Sequence, residues 1–148
     1  MSTSFTLNGA AIILAAAPGD LLIDTLRSGC GLTGTRYGCG EEQCGACLVL
    51  VDGAPVHACG RETVTLDGRV VTTAEAVPGH IRDAFLAEQA GQCGYCLSGM
   101  LVAATALLAR NPAPDRAAIV AVLDGNLCRC GSHPRIIAAI LRAARGAA

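Results

Sequence analysis

The pattern of apolar and polar positions divides this chain into a first half of strands and turns and a second half of helices. Residues 5–7 and 11–16 are short apolar runs on either side of Asn8-Gly9, a dipeptide that closes two-residue hairpins because both positions accept a positive φ. Asp20 is placed to cap a short helix over residues 21–28, with Gly29 as its stop. Residues 48–51 and 56–59 form a second pair of strands joined through Asp52-Gly53, and residues 70–72 add a further strand. Between them, residues 38–47 are too rich in glycine for either regular element and read as a loop. Hairpin, helix, loop and hairpin, closed by a last strand, is the order expected of a small β-grasp sheet.

The composition changes near residue 74. Residues 81–90 are an amphipathic helix, and residues 98–110 are a second helix ended by Asn111-Pro112. The second is apolar almost all round and is therefore expected to be buried. Residues 115–123 form a third, stopped by Asp124-Gly125. Ser132 can cap a fourth, with Pro134 in its first turn and Arg142 and Arg145 near its C-terminus, where cations suit the helix dipole. The expected fold class is α+β, with a β-grasp domain over residues 1–75 and a four-helix domain over residues 76–148.

Size and charge narrow the function. With 148 residues, the chain is one ordinary domain or two very small ones, and very small ones need staples such as metals or disulfides. Its net charge is −1 and no basic block is present, which speaks against a nucleic-acid or anionic-membrane partner. The chain is 52% hydrophobic and only 16% charged, a surplus of apolar surface that implies a permanent protein partner. The apolar runs at 10–17 and 99–109 fall short of the ~20 residues needed to span a bilayer. Residues 1–7 lack the basic and apolar regions of a secretory signal, so the expected location is the cytoplasm. A membrane-associated or periplasmic location would require export together with a signal-bearing partner.

Eight of the nine cysteines fall into two quartets. Cys39, Cys44, Cys47 and Cys59 are spaced by four, two and eleven residues, which fits the plant-type 2Fe–2S pattern. The competing uses of this quartet are a zinc site, a disulfide framework, or a thioredoxin-like dithiol at Cys44 and Cys47. Zinc ribbons prefer two CxxC pairs, and a dithiol leaves Cys39 and Cys59 unused. Cys93, Cys96, Cys128 and Cys130 form the second quartet, two close pairs held apart by thirty-one residues. Its spacing alone leaves a 2Fe–2S cluster, another metal or a redox dithiol open. Cys30 is expected to pack as a small apolar side chain. His57, His80, His133 and the Glu41-Glu42 pair are read as surface or hydrogen-bonding groups.

Together the motifs become recognisable. Gly34-Thr35-Arg36-Tyr37-Gly38-Cys39-Gly40, Cys44-Gly45-Ala46-Cys47, Asp52-Gly53 and Cys59 resemble the small subunit of the molybdenum hydroxylases, the xanthine dehydrogenase and aldehyde oxidoreductase group. Gln92-Cys93-Gly94-Tyr95-Cys96 and Gly125-Asn126-Leu127-Cys128-Arg129-Cys130 match that family's second signature. The resemblance implies a ferredoxin-like N-terminal domain and a helical C-terminal domain, each holding one 2Fe–2S cluster on its quartet. It implies that Gln92 contacts the molybdopterin of a separate large subunit, in its cytosine dinucleotide form, and that Cys130 is the cluster ligand nearest to it. Catalytic residues would lie on that partner, and this chain would relay electrons outward.

Two departures refine the match. Cys96-Leu97-Ser98-Gly99 stands where many members have Cys-Thr-Pro-Gly, and Gly131-Ser132-His133-Pro134-Arg135-Ile136 looks most like the small subunits of nicotinate and isoquinoline dehydrogenases. That likeness favours, as acceptor, a c-type cytochrome over an FAD subunit. As substrate it favours an N-heteroaromatic compound such as nicotinate, or an aldehyde. The reading from another class is a non-catalytic zinc-binding or thiol-redox module.

Overall fold

The computed structural model describes residues 1–146. Strands β1 (Ser2–Leu7) and β2 (Ala10–Ala15) form the first hairpin, turning on Asn8 (φ +51°) and Gly9 (φ +88°). β3 (Leu48–Val51) and β4 (Ala54–His57) form the second, turning on Asp52 (φ +50°) and Gly53 (φ +82°). β5 (Val70–Thr72) pairs parallel with β1 and antiparallel with β3, which completes a mixed sheet in the order β2-β1-β5-β3-β4. The Asp52 carboxylate ties this centre together by accepting from Val70 N at 2.9 Å and from Arg69 Nη1 at 2.8 Å.

One face of the sheet is covered by a helical turn, α1 (Leu22–Asp24), which widens into a π-type turn over Thr25–Gly29. Leu22, Ile23 and Leu26 pack there on Phe5, Leu7, Val49 and Val71. This segment differs from a regular capped helix over 21–28. The Asp20 carboxylate accepts from Ala17 N at 2.7 Å and caps nothing in α1, and the left-handed residue beyond it is Gly31, at φ +69°.

The helical half consists of α2 (Gly79–Ala87), α3 (Leu97–Arg110), α4 (Arg116–Leu123) and α5 (His133–Gly146). Asp115 caps α4, its Oδ1 accepting from Ala118 N at 2.8 Å. α5 begins directly after Ser132, whose carbonyl accepts from Arg135 N and Ile136 N. α2 ends earlier than its apolar pattern suggests because Gln89 turns left-handed at φ +48°. Gln89 N then donates to the Leu86 carbonyl and Ala90 N to the Phe85 carbonyl, a Schellman closure made without glycine. This turn directs the chain back toward Cys93. Among the described residues no helix is long and apolar enough to cross a membrane.

α3 explains how the halves join. Its Met100, Ala104 and Leu107 belong to the core with α2, α4 and α5, while Val102, Ala103 and Ala106 pack on Leu48 and Leu50 of β3. β3 is therefore covered on both faces, which accounts for its unbroken Leu48-Val49-Leu50-Val51 run. Each large side chain in this layer contributes about 1.5–3 kcal/mol by leaving water. At the start of α3 the approach is closest: a Cβ on Gly99 would collide with the backbone carbonyl of Gly45. Ser98 Oγ donates to the Ala46 carbonyl at 3.4 Å and Asn126 Nδ2 to the Gly45 carbonyl at 3.4 Å.

Gly99→Ala is expected to destabilise the protein by about 1–3 kcal/mol, since the clash is with backbone that cannot rotate away. Gly125→Ala makes the same chemical change where a Cβ meets nothing within 4 Å and φ is not positive. It is expected to be neutral or to stabilise by up to about 1 kcal/mol. Denaturation curves of the two variants side by side check the contrast.

Candidate metal centre

The first quartet is built on the loop at 38–47 and the end of the second hairpin. Gly40 (φ +73°) and Gly45 (φ +77°) take the left-handed turns that wrap this loop. Between them the backbone N–H groups of Glu41 and Gln43 donate to Cys39 Sγ, each at 3.3 Å, and that of Cys44 at 3.4 Å. Cys39 N donates in turn to Cys44 Sγ at 3.3 Å. These donors bring the exposed Cys39 thiol down to about 7, so the loop is built to hold a thiolate. Cys47 and Cys59 lie inside the sheet core, 2% and 5% exposed. Burial, with the Cys59 sulfur alongside, pushes the Cys47 thiol up to about 12.

The second quartet gathers from three places: Cys93 from the approach to α3, Cys96 from its N-cap position, and Cys128 and Cys130 from the segment before α5. Cys130 Sγ lies 3.6 Å from Cys93 Sγ. Ser132 N, at the start of α5, donates to Cys128 Sγ at 3.4 Å. The Tyr95 N–H, followed by the Cys130 sulfur, lowers the Cys93 thiol. Burial alone would raise Cys128, but the Ser132 N–H and the Cys96 thiol outweigh it and bring it down. Burial, reinforced by the Cys128 sulfur, pushes Cys96 up to about 12.

Each quartet thus resolves into two pairs. Cys39 neighbours Cys44 and Cys47 neighbours Cys59; Cys93 neighbours Cys130 and Cys96 neighbours Cys128. Neither CxxC motif pairs its own two sulfurs, unlike a thioredoxin-type dithiol. All nine cysteines are free thiols. A mononuclear zinc site gathers four ligands round one ion, whereas each quartet here divides into two sulfur pairs. Two thiolates on one tetrahedral metal with bonds of ~2.3 Å stand roughly 3.7 Å apart, close to the Cys93–Cys130 spacing. Pairs of soft sulfur donors, with backbone N–H groups aimed at them, fit a 2Fe–2S cluster in each quartet.

The halves bring the quartets together. Leu127 N donates to the Cys44 carbonyl at 3.0 Å, so the residue before Cys128 is bonded to a cysteine of the first quartet. A cavity of about 270 Å³ is lined by Cys39 and Cys44 on one side and by Cys93, Cys96, Cys128 and Cys130 on the other. Gln92 is exposed beside Cys93, at a small cleft shared with Gln89, Ser132 and Arg135. Cys30 is half-buried against the sheet core, where burial raises its thiol, and it joins neither quartet. His133 Nε2 lies 3.0 Å from the Asn126 carbonyl. Motif reading missed Asn126, Gly99 and Tyr95 as joining residues. The first is a buried asparagine, 3% exposed, inside the Gly125-Asn126-Leu127 motif, and that motif was the available signal.

Two family models match the chain: a 2Fe–2S iron–sulfur cluster binding domain over residues 5–77 and a 2Fe–2S binding domain over residues 70–141. The chain is 43% identical to the alpha subunit of isoquinoline 1-oxidoreductase from Brevundimonas diminuta, over 97% of this chain and 98% of the relative. It is 39% identical to the small FeS subunit of nicotinate dehydrogenase from Eubacterium barkeri, over 95% of this chain and 92% of that one. A chain of the crystal structure of quinoline 2-oxidoreductase from Pseudomonas putida 86 superposes with a TM-score of 0.94 at 40% identity, covering 99% of this chain and 95% of that chain. With two 2Fe–2S family models and similarity along nearly its whole length, the chain belongs to the small iron–sulfur subunits of the molybdenum hydroxylases, the electron-transfer members of these oxidoreductase complexes.

Proposed function

We propose that this chain relays electrons from the molybdenum site of a partner large subunit, through two 2Fe–2S clusters, to a cytochrome. The observation that carries the reading is the division of eight cysteines into four sulfur pairs, three of which border one cavity. In this reading Cys39, Cys44, Cys47 and Cys59 hold one cluster, and Cys93, Cys96, Cys128 and Cys130 hold the other. When bound, each cluster supplies a one-electron carrier whose potential depends on hydrogen bonds to sulfur and on solvent exposure. The protein's part is to aim the N–H groups of Glu41, Gln43, Cys44 and Ser132 at sulfur and to keep Cys47 and Cys59 dry. The domain boundary is assigned at 75/76, one cluster to each side.

The partner surface is read from the helical half. Leu86, Val120 and Leu127 are 70%, 41% and 63% exposed, and they flank grooves beside Gln92 and Cys128. A molybdopterin subunit seated here would meet Gln92 and Cys130 with its cofactor, taken to be the cytosine dinucleotide form. Relatives named for nicotinate, isoquinoline and quinoline stand at 39–43% identity and those named aldehyde oxidoreductases at 33–36%, which supports an N-heteroaromatic substrate over an aldehyde. The Gly131-Ser132-His133-Pro134 variant supports a c-type haem acceptor over FAD. The complex is assigned to the cytoplasm, or to the periplasmic side of a membrane if the partner carries the export signal.

Anaerobically purified protein is expected to contain about four iron and four acid-labile sulfide per chain, and two distinguishable EPR signals on reduction. One signal integrating to a single spin per chain would remove one of the clusters. Cys44→Ser is expected to leave the cluster of the second quartet reducible by substrate in a single turnover while steady-state transfer falls to background. Cys128→Ser is expected to abolish both, and rapid-mixing absorbance separates the two variants. Isolation from the native host is expected to bring down a molybdopterin subunit in an interface of more than ~2,000 Å². A haem stain on the same complex tests the cytochrome, and recovery with FAD and rapid NAD reduction would contradict it.

A further inference from the structure

We propose that Tyr95 is a positioning residue whose hydroxyl locks the two cysteine loops together and limits how far the cavity between them opens to water. The proposal rests on the two-cluster reading above and deepens it by naming what holds the clusters in register.

Tyr95 stands between Cys93 and Cys96, yet its hydroxyl donates to the backbone carbonyl of Tyr37, two residues before Cys39. The bond therefore ties one quartet's loop to the other's across 58 positions of sequence. Its acceptor is fixed in place. Arg27 Nη1 donates to the carbonyls of Thr33 and Thr35, each at 2.8 Å, and Glu75 Oε1 accepts from Gly34 N at 2.7 Å. Arg36 N donates to the Ala46 carbonyl at 3.2 Å, so the segment before Tyr37 is also pinned to the loop between Cys44 and Cys47. The Arg36 guanidinium carbon lies 5.4 Å from the centre of the Tyr95 ring. Arg36 Nε is buried with no hydrogen-bond partner among the described residues, and the π-face of Tyr95 lies within reach of this guanidinium.

Tyr95 also lines the cavity of about 270 Å³ between the quartets while 45% of its surface is exposed, so its ring stands at the mouth of that cavity. The other ties across this cavity, Leu127 to Cys44 and Asn126 to Gly45, lie along the seam with α3. Without the Tyr95 hydroxyl the two loops keep that seam and the Arg36 contact with the ring, but lose the hydrogen bond at this rim and can splay there. Dipolar splitting between two reduced clusters falls with the cube of their separation, so a small splay is visible. Water entering the cavity favours the more negative, reduced state and moves potentials upward.

The plainer role for a half-exposed tyrosine is ring packing against the partner. Tyr95→Phe separates the two, because it keeps the ring and the Arg36 contact and removes only the hydroxyl. The experiment uses the holocomplex with Tyr95→Phe and Tyr95→Leu. Iron, sulfide and the two EPR signals are measured first; their absence from the unmodified complex would overturn the two-cluster reading itself and this proposal with it. With both clusters present, Tyr95→Phe is expected to retain full iron, to show a changed inter-cluster splitting, and to move the potential of at least one cluster upward. Tyr95→Leu is expected to move both readouts further in the same sense. If Tyr95→Leu loses iron, Tyr95→Phe alone decides. A Tyr95→Phe complex matching the unmodified one in splitting and in both potentials overturns the proposal.

Discussion

The structure depends on one close backbone approach, that of Gly99 at the start of α3 to the carbonyl of Gly45 in the first cysteine loop. Each half carries its own core. What makes them one electron-transfer unit is that α3 lies against β3 and brings its N-terminus onto the loop carrying Cys44 and Cys47. That contact demands a residue without a side chain at position 99. It is sealed by Ser98 and Asn126, which satisfy the carbonyls of Ala46 and Gly45 inside a region that water does not reach. The two quartets end up on one cavity because of this seam.

The same arrangement explains the division of labour among the cysteines. Cys39 and Cys93 are exposed and are served by backbone N–H groups that lower their thiols. Cys47 and Cys96 are driven upward by burial, so they would give up their protons only to a metal ion. Each quartet thus has one pair reaching the surface and another turned toward the core. An electron carrier needs both features, since a wholly exposed centre wastes energy on solvent reorganisation and a wholly buried one cannot exchange electrons with a partner.

Much of this was legible in the sequence where local chemistry decides the outcome. Asn8-Gly9 and Asp52-Gly53 impose positive φ, so both hairpins form where the dipeptides stand. The all-round apolar pattern of α3 correctly implied burial, and its two separate packing faces are the reason. Legibility failed where a tertiary contact overrides a local signal. Asp20 resembles a helix cap but serves the Ala17 amide, because α1 is a short turn fitted to the sheet and not a free helix. The end of α2 was hidden because Gln89, not glycine, takes the left-handed turn there. The cysteine spacings pointed to two quartets, but the pairing across each CxxC motif is set by folding. The ties made by Tyr95 and Asn126 span 58 and 81 positions and carry no local signature.

The central claim is that two sets of paired cysteines each hold a two-iron cluster and that both clusters take part in electron transfer. Mössbauer spectroscopy of the iron-57-enriched holocomplex tests it most directly, because the method counts every iron by oxidation state. Leaving aside the haem iron of the acceptor, which gives its own mononuclear signal, oxidised protein is predicted to contain only ferric iron in antiferromagnetically coupled pairs. Full reduction is predicted to convert about half of this cluster iron to the ferrous state, one iron in each pair. A quarter converted would mean that only one cluster is redox-active, and complete conversion to isolated ferrous sites would contradict the paired clusters altogether.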